Sequence, residues 1–337
     1  MPKLAFVVFE EEKGKAIHCH VPGYGLLKTH FGTCLFHLMK RHKFRDGILE
    51  FEIDAQTDTV ILLIKLPFPA SWLSLYNRQY IKRYIVKACT GRKCCKCYMP
   101  AAFGSSEDFG TYAERKNIRT VVFKALLVPV LAEIYTKRGL RLDSLDMVLV
   151  SGEDTSELIE MVRQLEPFVR YMSIVSSDKE AVERELADIC MESGVSVIIG
   201  DNCKSMLRNA DLVINLGEIA AISKLRIRPE AVVIHFSSLS GTAAKGEYTF
   251  ISGVEYTFPA VWYKVFGEDI NKNYSKSELT EILMAFKAGL FNGGTYNETM
   301  AAEIQEVFKS NCCRITGFRG RRGVLKVENV LKCPHLY

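Results

Sequence analysis

The part of the chain between about residues 145 and 237 alternates short apolar runs with amphipathic stretches. The apolar runs, rich in valine, isoleucine and leucine, predict strands at residues 146–151, 169–175, 195–199, 211–216 and 231–236. Helical spacing between them predicts helices at residues 155–165, 178–193 and 203–209. Strands that are apolar throughout are typical of a parallel sheet buried on both faces. Because strand–helix–strand connections are right-handed, the pattern predicts a doubly wound α/β fold.

The sequence before this region predicts a second, smaller α/β domain. Strand patterns occur at residues 3–10, 16–21, 47–53 and 59–65, and helical patterns at residues 26–41 and 70–88. Residues 89–111 are rich in cysteine, glycine and lysine and show no periodicity, so an irregular connection is expected there.

Further helical patterns flank the doubly wound region. One covers residues 111–138 and is expected to kink at Pro129, because proline has no N–H to donate to the carbonyl four residues earlier. Two more, at residues 276–291 and 297–309, precede a basic, glycine-punctuated tail. The chain is therefore expected to have four parts: a small basic α/β domain (1–110), a connecting helix (111–140), the doubly wound domain (141–245), and C-terminal helices and a tail that pack back on the other domains (246–337).

Composition restricts the class of protein. With 337 residues and 48% hydrophobic content, the chain suffices for two packed cores, and 25% charged residues is typical of soluble proteins. No apolar stretch reaches membrane-spanning length and the first residues lack a signal-peptide pattern, so a cytoplasmic protein without a membrane partner is expected. The eleven cysteines are then expected to be reduced thiols.

Positive charge is concentrated in the first domain. Residues 1–110 hold 16 lysines and arginines against 10 acidic residues, whereas the rest of the chain holds 28 against 29. Basic segments with interleaved aromatic residues, such as residues 76–87, can bind nucleic acid through phosphate contacts and stacking. A solvated helix face explains the same residues and is the interpretation we favour.

The candidate ligand site lies in the loops that follow the predicted strands. Open parallel sheets bind ligands beyond the carboxyl ends of their strands, where connections diverge to opposite faces. The candidate cofactor-binding residues in these loops are Gly152, Thr155, Ser156, Ser176, Ser177, Lys179, Asp201, Asn202, Asn215 and Gly217.

Three stretches of this region, MVLVSGEDTSELIEMVRQL, ADLVINLG and IRPEAVVIHFSS, resemble the NAD(P)-binding domain of the shikimate dehydrogenase and glutamyl-tRNA reductase type. The resemblance implies a Rossmann-like fold and NADP or NAD as cofactor. The loop GEDTSE keeps only Gly152 of the dinucleotide-binding pattern G-x-G-x-x-G. The catalytic cysteine motif of the reductase and the substrate-binding constellation of the dehydrogenase have no match, so no catalytic residue is assigned.

Each candidate loop also has a structural interpretation. Acidic residues near Gly152 repel a phosphate, but they also suit the capped start of a helix. Ser176, Ser177 and Lys179 are typical of a site for adenosine 2′-phosphate, although Asp178 also fits a helix N-cap. The pair at residues 201–202 fits contacts to a ribose or a base, which leaves S-adenosylmethionine open as a rival ligand. A capping pair for the next helix is the interpretation we favour.

The densest group of potential metal ligands is Cys89, Cys94, Cys95 and Cys97. Their spacing fits neither the zinc nor the iron–sulfur patterns, so no metal is predicted. Neighbouring lysines would favour a reactive or redox thiol, but ordinary thiols without a role are the interpretation we favour.

Three functions remain open from the sequence. The first is an NAD(P)H-dependent oxidoreductase whose small-molecule substrate or nucleotide lies between two domains, and a homo-oligomer is compatible with this function. The second is a non-catalytic Rossmann-like scaffold with a basic, partner- or nucleic-acid-binding first domain. The third is an S-adenosylmethionine-dependent methyltransferase.

Overall fold

The computed structural model describes residues 3–9, 48–54, 59–66, 78–92, 96–100, 115–152, 155–201, 203–217, 226–236, 247–289, 297–321 and 323–327, with the single residues 70, 94 and 103. The chain divides into two compact units, one of Met1–Arg115 with Ala260–Lys276 and one of Lys116–Pro259 with Ser277–Tyr337.

The strands and helices of the described residues follow in chain order. Up to residue 137 they are β1 (Lys3–Phe9), β2 (Ile48–Asp54), β3 (Thr59–Leu66), α1 (Arg78–Gly91), β4 (Lys96–Tyr98), α2 (Arg115–Ala125) and α3 (Leu127–Lys137). From there to residue 251 they are β5 (Met147–Val150), α4 (Thr155–Leu165), β6 (Tyr171–Val175), α5 (Lys179–Ser193), β7 (Ser196–Gly200), α6 (Cys203–Arg208), β8 (Leu212–Asn215), β9 (Val232–His235) and β10 (Thr249–Ile251). The last are β11 (Gly253–Thr257), α7 (Ala260–Asn273), α8 (Lys276–Lys287), α9 (Glu298–Ser310), β12 (Arg314–Gly320) and β13 (Gly323–Lys326).

The first unit contains a four-stranded mixed sheet in the order β2-β3-β1-β4. β1 pairs in parallel with β3 and β4, and β2 pairs antiparallel with β3. Through Ala5 and Val7, one face of β1 belongs to the same apolar core as Ile81, Ile85 and Cys89 of α1. The three α1 residues recur every four positions, which places them on one side of the helix.

Aromatic side chains surround Phe6, which points to the opposite face of β1. The Phe6 ring centre lies 5.4 Å from that of Tyr98, 5.3 Å from that of Tyr274 and 6.1 Å from that of Phe266. The Tyr274 hydroxyl lies 2.7 Å from the carbonyl oxygen of Tyr98 and 2.8 Å from that of Val7. These contacts join α7 and the residue that follows it to the sheet of the first unit.

Residues 89–111 were expected to be irregular, and this prediction was wrong at its beginning. α1 continues to Gly91, and Lys96–Tyr98 forms the edge strand β4 beside β1. A strand of three residues is too short to show a period of two, which is why the pattern missed it. The predicted strand at 16–21 and the predicted helix at 26–41 lie outside the described residues.

A pair of helices, α2 and α3, replaces the single kinked helix that was expected, and the break falls at Leu126 instead of Pro129. Pro129 is still the physical cause, because it has no N–H to donate to the carbonyl of Ala125. That carbonyl instead accepts hydrogen bonds from the side-chain amides of Gln164 and Gln305, both at 2.9 Å. The break is therefore stabilised by side chains of α4 and α9.

The second unit is built on a six-stranded sheet in the order β10-β9-β8-β5-β6-β7, in which every neighbouring pair is parallel. β5, β8 and β9 are buried along their whole length. This confirms the predicted doubly wound, Rossmann-like α/β fold, and the bounds of α4 agree with the prediction at both ends. β10 is an additional strand that the sequence patterns did not predict.

The C-terminal part of the second unit adds two helices and a small antiparallel sheet. The helices predicted near residues 276 and 297 are confirmed as α8 and α9, although α8 ends at Lys287 instead of 291. The tail, for which no strand was expected, contributes β12 and β13 to a sheet in the order β11-β12-β13. Across the described ranges, no helix combines the length and the apolarity that crossing a bilayer requires.

A partly buried ionic cluster, the Glu281 cluster, joins α2, α8, β11 and β12. Glu281 accepts a hydrogen bond of 3.2 Å from Nε of Arg119, and Nη2 of Arg319 lies 3.9 Å from its other oxygen. Nε of Arg319 also bonds Glu255, and Arg119 lies near Glu278. Burial raises the pKa of Glu281 to about 6, although both arginines oppose this shift.

The raised pKa of Glu281 predicts a pH-dependent stability. Between the usual value of 4.5 and the folded value of about 6, the folded chain binds more protons, so stability is lost as the pH rises through 6. Glu281→Gln is therefore expected to raise the free energy of unfolding by about 2 kcal/mol at pH 8 and to have almost no effect at pH 4. Urea unfolding across this range measures the difference.

Glu268→Gln is the matched control, because the Glu268 side chain is 88% exposed in a surface pair with Lys272. It is expected to leave the pH profile unchanged. A Glu281→Gln chain that loses stability at pH 8 would contradict the burial argument.

Candidate functional site

The carboxyl edge of the six-stranded sheet contains a switch point between β5 and β8. From β5 the chain continues outward through β6 and β7, and it then returns to place β8, β9 and β10 on the other side of β5. The connections on the two sides therefore diverge, and the crevice between them is where doubly wound sheets bind nucleotides.

Gly152 and Gly217 follow β5 and β8, and their loops are in backbone contact at the switch point. A Cβ atom at Gly152 would lie 2.8 Å from the carbonyl oxygen of Leu216, and one at Gly217 would lie 2.8 Å from that of Ser151. Carbon atoms do not approach a main-chain oxygen this closely, so both positions require glycine. The contact between the two loops is therefore the physical reason for glycine at both positions.

α4 begins at Thr155, directly beyond this contact, and its amino end carries the positive end of the helix dipole. Ser156 is exposed in the first turn. Glu157, one of the acidic residues that argue against a phosphate, forms an ion pair with Lys124 of α2. Its charge is therefore engaged within the unit. Two further acidic residues of this loop, at positions 153 and 154, lie outside the described residues.

The loop after β6 combines a structural residue with exposed ones. Ser176 is only 6% exposed, and its hydroxyl accepts a hydrogen bond of 3.2 Å from the N–H of Asp178. Asp178 in turn caps α5, because its carboxylate accepts a hydrogen bond of 3.1 Å from the N–H of Ala181. Ser177 and Lys179 are exposed, and Lys179 lies 3.4 Å from Glu183 in a surface pair. Such pairs contribute little, so Lys179 can turn to a ligand.

The last residues of β8 and β9 form a buried polar pair. Asn215 and His235 face each other in register, with Nδ2 of Asn215 3.0 Å from Nδ1 of His235 and 3.2 Å from the carbonyl oxygen of Gly217. Since an amide nitrogen only donates, Nδ1 accepts and the neutral ring carries its proton on Nε2. Burial lowers the pKa of His235, and a backbone hydrogen bond with Asn215 opposes this shift with a smaller effect. Asn215 thus positions the loop that contacts Gly152.

The sheet order decides which predicted site residues are close together. Asn215, Gly217 and Gly152 lie on the two central strands or directly after them, and Ser176 follows the next strand. Asp201 is exposed after β7, three strands from β8, which is roughly 14 Å away at ordinary strand spacing. Asn202 lies outside the described residues. The roles of all these residues in binding remain predictions.

His235 is a residue of this edge that was absent from the candidate site residues. A signal was present, because the apolar runs ADLVIN and AVVIH both end in a polar residue. Two neighbouring parallel strands bring such residues together at one edge. The pairing of these two strands was not deducible from either run alone.

An open cavity of about 500 Å³ lies elsewhere in the second unit. Its walls come from α3 and from the turns that precede β5 and β6, including Tyr135, Arg141, Phe168 and Arg170. This is the amino edge of the sheet, opposite the switch point. Among the residues that the structure describes, no group of three or more histidine, cysteine or acidic side chains is arranged to hold a metal ion.

The strand order, the switch point and the paired glycines define a Rossmann-like doubly wound domain. The sequence matches no protein-family profile and no curated protein. Among solved structures, the chain is similar to the A chain of dipicolinate synthase from Bacillus subtilis, with 13% identity, 91% of this chain and 97% of that chain covered, and a TM-score of 0.37.

It is also similar to shikimate 5-dehydrogenase from Listeria monocytogenes, solved with shikimate and NAD, with 13% identity, coverage of 84% and 96%, and a TM-score of 0.31. A third similar structure is a lysine cyclodeaminase, with 18% identity, coverage of 37% and 38%, and a TM-score of 0.28. The chain thus spans 38% of the cyclodeaminase, and it spans 36% of a Δ1-pyrroline-2-carboxylate reductase from Thermococcus litoralis.

Proposed function

We propose that the second unit binds NADP or NAD across the carboxyl edge of its parallel sheet, and that the protein is an NAD(P)-dependent oxidoreductase acting on a small-molecule substrate. The observation that carries the proposal is the backbone contact of Gly152 and Gly217 at the switch point between β5 and β8. The position is that of a nucleotide-binding crevice, and Gly152 is the glycine that the loop keeps from the dinucleotide-binding pattern.

The amino end of α4 is the proposed site of the pyrophosphate. Backbone N–H groups of the first turn and the hydroxyls of Thr155 and Ser156 supply donors there, and the helix dipole attracts an anion. The ion pair of Glu157 with Lys124 removes one negative charge from the approach of the phosphates. Gly152 lets the backbone come close to them.

The other candidate residues are proposed to hold the two ends of the dinucleotide. Ser177 and Lys179 face the adenosine end, where Lys179 is the proposed partner of a 2′-phosphate, and Ser176 holds this loop through Asp178. Asn215 and Gly217 border the nicotinamide end. The residues 201–202 are proposed to contact the adenosine part. A bound nicotinamide supplies the hydride chemistry, and the chain binds and orients it.

The proposal includes a cytoplasmic location, where structural disulfides are rare, and it is compatible with a homo-oligomer. Within the described residues, no disulfide involves Cys89, Cys94, Cys97, Cys190, Cys312 or Cys313.

Fluorescence titration of the full chain with NADPH and NADH tests the proposal. Saturable binding of at least one dinucleotide is expected. Lys179→Gln is expected to weaken NADPH binding about tenfold, the equivalent of one charge-assisted contact, and to leave NADH binding unchanged. Lys272→Gln is the matched control, because Lys272 lies in a similar exposed pair, 3.2 Å from Glu268.

The two rival functions give different results in the same experiment. If S-adenosylmethionine binds and neither NADPH nor NADH does, the methyltransferase replaces the oxidoreductase as the proposed function. If none of the three ligands binds, the non-catalytic Rossmann-like scaffold is the function that remains.

A further inference from the structure

Three cysteines of the first unit come together where α1 ends and β4 begins. We call Cys89, Cys94 and Cys97 the thiol cluster. Cys89 is in the last turn of α1 and Cys97 is the middle residue of β4. The N–H of Cys94 donates a hydrogen bond of 2.9 Å to the carbonyl of Cys89, which folds the turn between the two elements back onto the helix end.

The side chains of the cluster are also in contact. The Cys89 thiol is hydrogen-bonded to the thiols of both Cys94 and Cys97. Cys89 and Cys97 are 0% exposed, whereas Cys94 is partly exposed. Cys94 is therefore the member that a solute reaches, and Cys89 is the buried neighbour behind it.

The backbone geometry is compatible with a disulfide between Cys89 and Cys94. With standard bond lengths on either side of the 2.9 Å hydrogen bond, the two Cα atoms are at most about 6.8 Å apart. Disulfides bridge Cα atoms within this distance without backbone movement. The direct thiol contact places the two sulfur atoms on the same side.

We propose that Cys94 and Cys89 are a redox modification site that a hydroperoxide converts to an intramolecular disulfide. The Cys94 thiol loses its proton, its thiolate attacks one peroxide oxygen, and the O–O bond breaks. The departing hydroxide of hydrogen peroxide takes up the released proton as water, and Cys94 is left as a sulfenic acid. The Cys89 sulfur then attacks the Cys94 sulfur, the S–O bond breaks, and the hydroxyl leaves with the Cys89 proton as a second water. Peroxide is reduced by two electrons and the dithiol is oxidised by two.

The surroundings of Cys89 set the pH dependence of this step. The hydrogen bond from Cys94 lowers the pKa of Cys89, but Cys97 and burial raise it, and the net pKa lies well above the usual value. Cys97 is the thiol that faces Cys89 from the sheet. A thiolate is the attacking form, so disulfide formation is expected to accelerate as the pH rises.

Peptide mapping of the peroxide-treated full chain tests the proposal directly. Trypsin separates Cys89 (ACTGR, residues 88–92) from Cys94 (CCK, residues 94–96) and from Cys97. The expected product is a linked ACTGR–CCK pair, two hydrogens lighter than the sum of the peptides and released by dithiothreitol. Its yield is expected to be several times higher at pH 8.5 than at pH 6.5.

Two substitutions identify the pair. Cys94→Ser is expected to abolish the link, and the matched control Cys95→Ser is expected to keep it, with far-UV circular dichroism verifying that both chains fold. A link that survives in Cys94→Ser, a link to Cys97 in its place, or a Cys94 that proceeds to sulfinic acid without linking would overturn the proposal.

Discussion

Alanine at Gly152 or at Gly217 is expected to lower the free energy of unfolding by about 1–3 kcal/mol, the usual cost of forcing atoms into a packed site. Each added Cβ would lie 2.8 Å from a main-chain oxygen of the opposite loop. Backbone atoms cannot move aside as a flexible side chain does, so the loops after β5 and β8 must separate. Chemical denaturation of the purified chains measures the loss.

The same substitutions are expected to weaken dinucleotide binding at least tenfold, because the two loops that separate form the proposed crevice. Gly91→Ala is the matched control, since no atom lies within 4 Å of its added Cβ and its φ is not in the left-handed region. The double substitution of Gly152 and Gly217 is expected to cost less than the sum of the single ones, because one separation relieves both clashes. Additive losses would contradict the contact.

Arg319→Met is expected to be the most destabilising substitution, lowering the free energy of unfolding by about 3–5 kcal/mol at pH 8. Arg319 bonds Glu255 and lies 3.9 Å from Glu281, whose side chain is only 4% exposed. Removing the guanidinium leaves a buried carboxylate with less compensating charge. Thermal or urea unfolding measures the effect.

Two comparisons make this prediction specific. Arg141→Met removes an arginine that is 81% exposed in its pair with Asp143, and it is expected to cost less than about 1 kcal/mol. Adding Glu281→Gln to Arg319→Met is expected to restore part of the stability, because the uncompensated charge is then absent. A loss that the second substitution does not reduce would mean that Arg319 contributes through packing.

The architecture of the second unit was predictable because each strand carries its own signal. Runs such as VLV in β5 and VVI in β9 are apolar on both faces, and a series of them separated by helices is typical of a parallel sheet covered by helices. Local chemistry also located helix ends, as Asp178 does at the start of α5 and Gly194, with φ of 72°, at its end.

Short strands and distant contacts were not predictable. β4 and β10 have three residues each, too few for a periodic signal, and β12 forms because β11 lies beside it far back in the chain. The hydrogen bond of Arg119 with Glu281 spans 162 positions. No local pattern contains such a pair, so the Glu281 cluster was absent from the sequence prediction.

The candidate site illustrates the same division between local and distant information. Position was predictable, because parallel strands deliver their following loops to one edge. The electrostatics of the loop was not predictable from the sequence, because Glu157 alone is expected to repel a phosphate. Its ion-pair partner, Lys124, lies on another helix. The mutual fit of Gly152 and Gly217 likewise needed the pairing of β5 with β8.

Hydrogen–deuterium exchange of the full chain, with and without saturating NADPH or NADH, tests most directly whether a dinucleotide occupies the switch point. Slower exchange is expected in peptides that cover residues 150–157, 175–180 and 214–218, with no change in those that cover the tail hairpin at residues 314–326. Binding that leaves the three loop peptides unprotected and protects another surface would contradict the account.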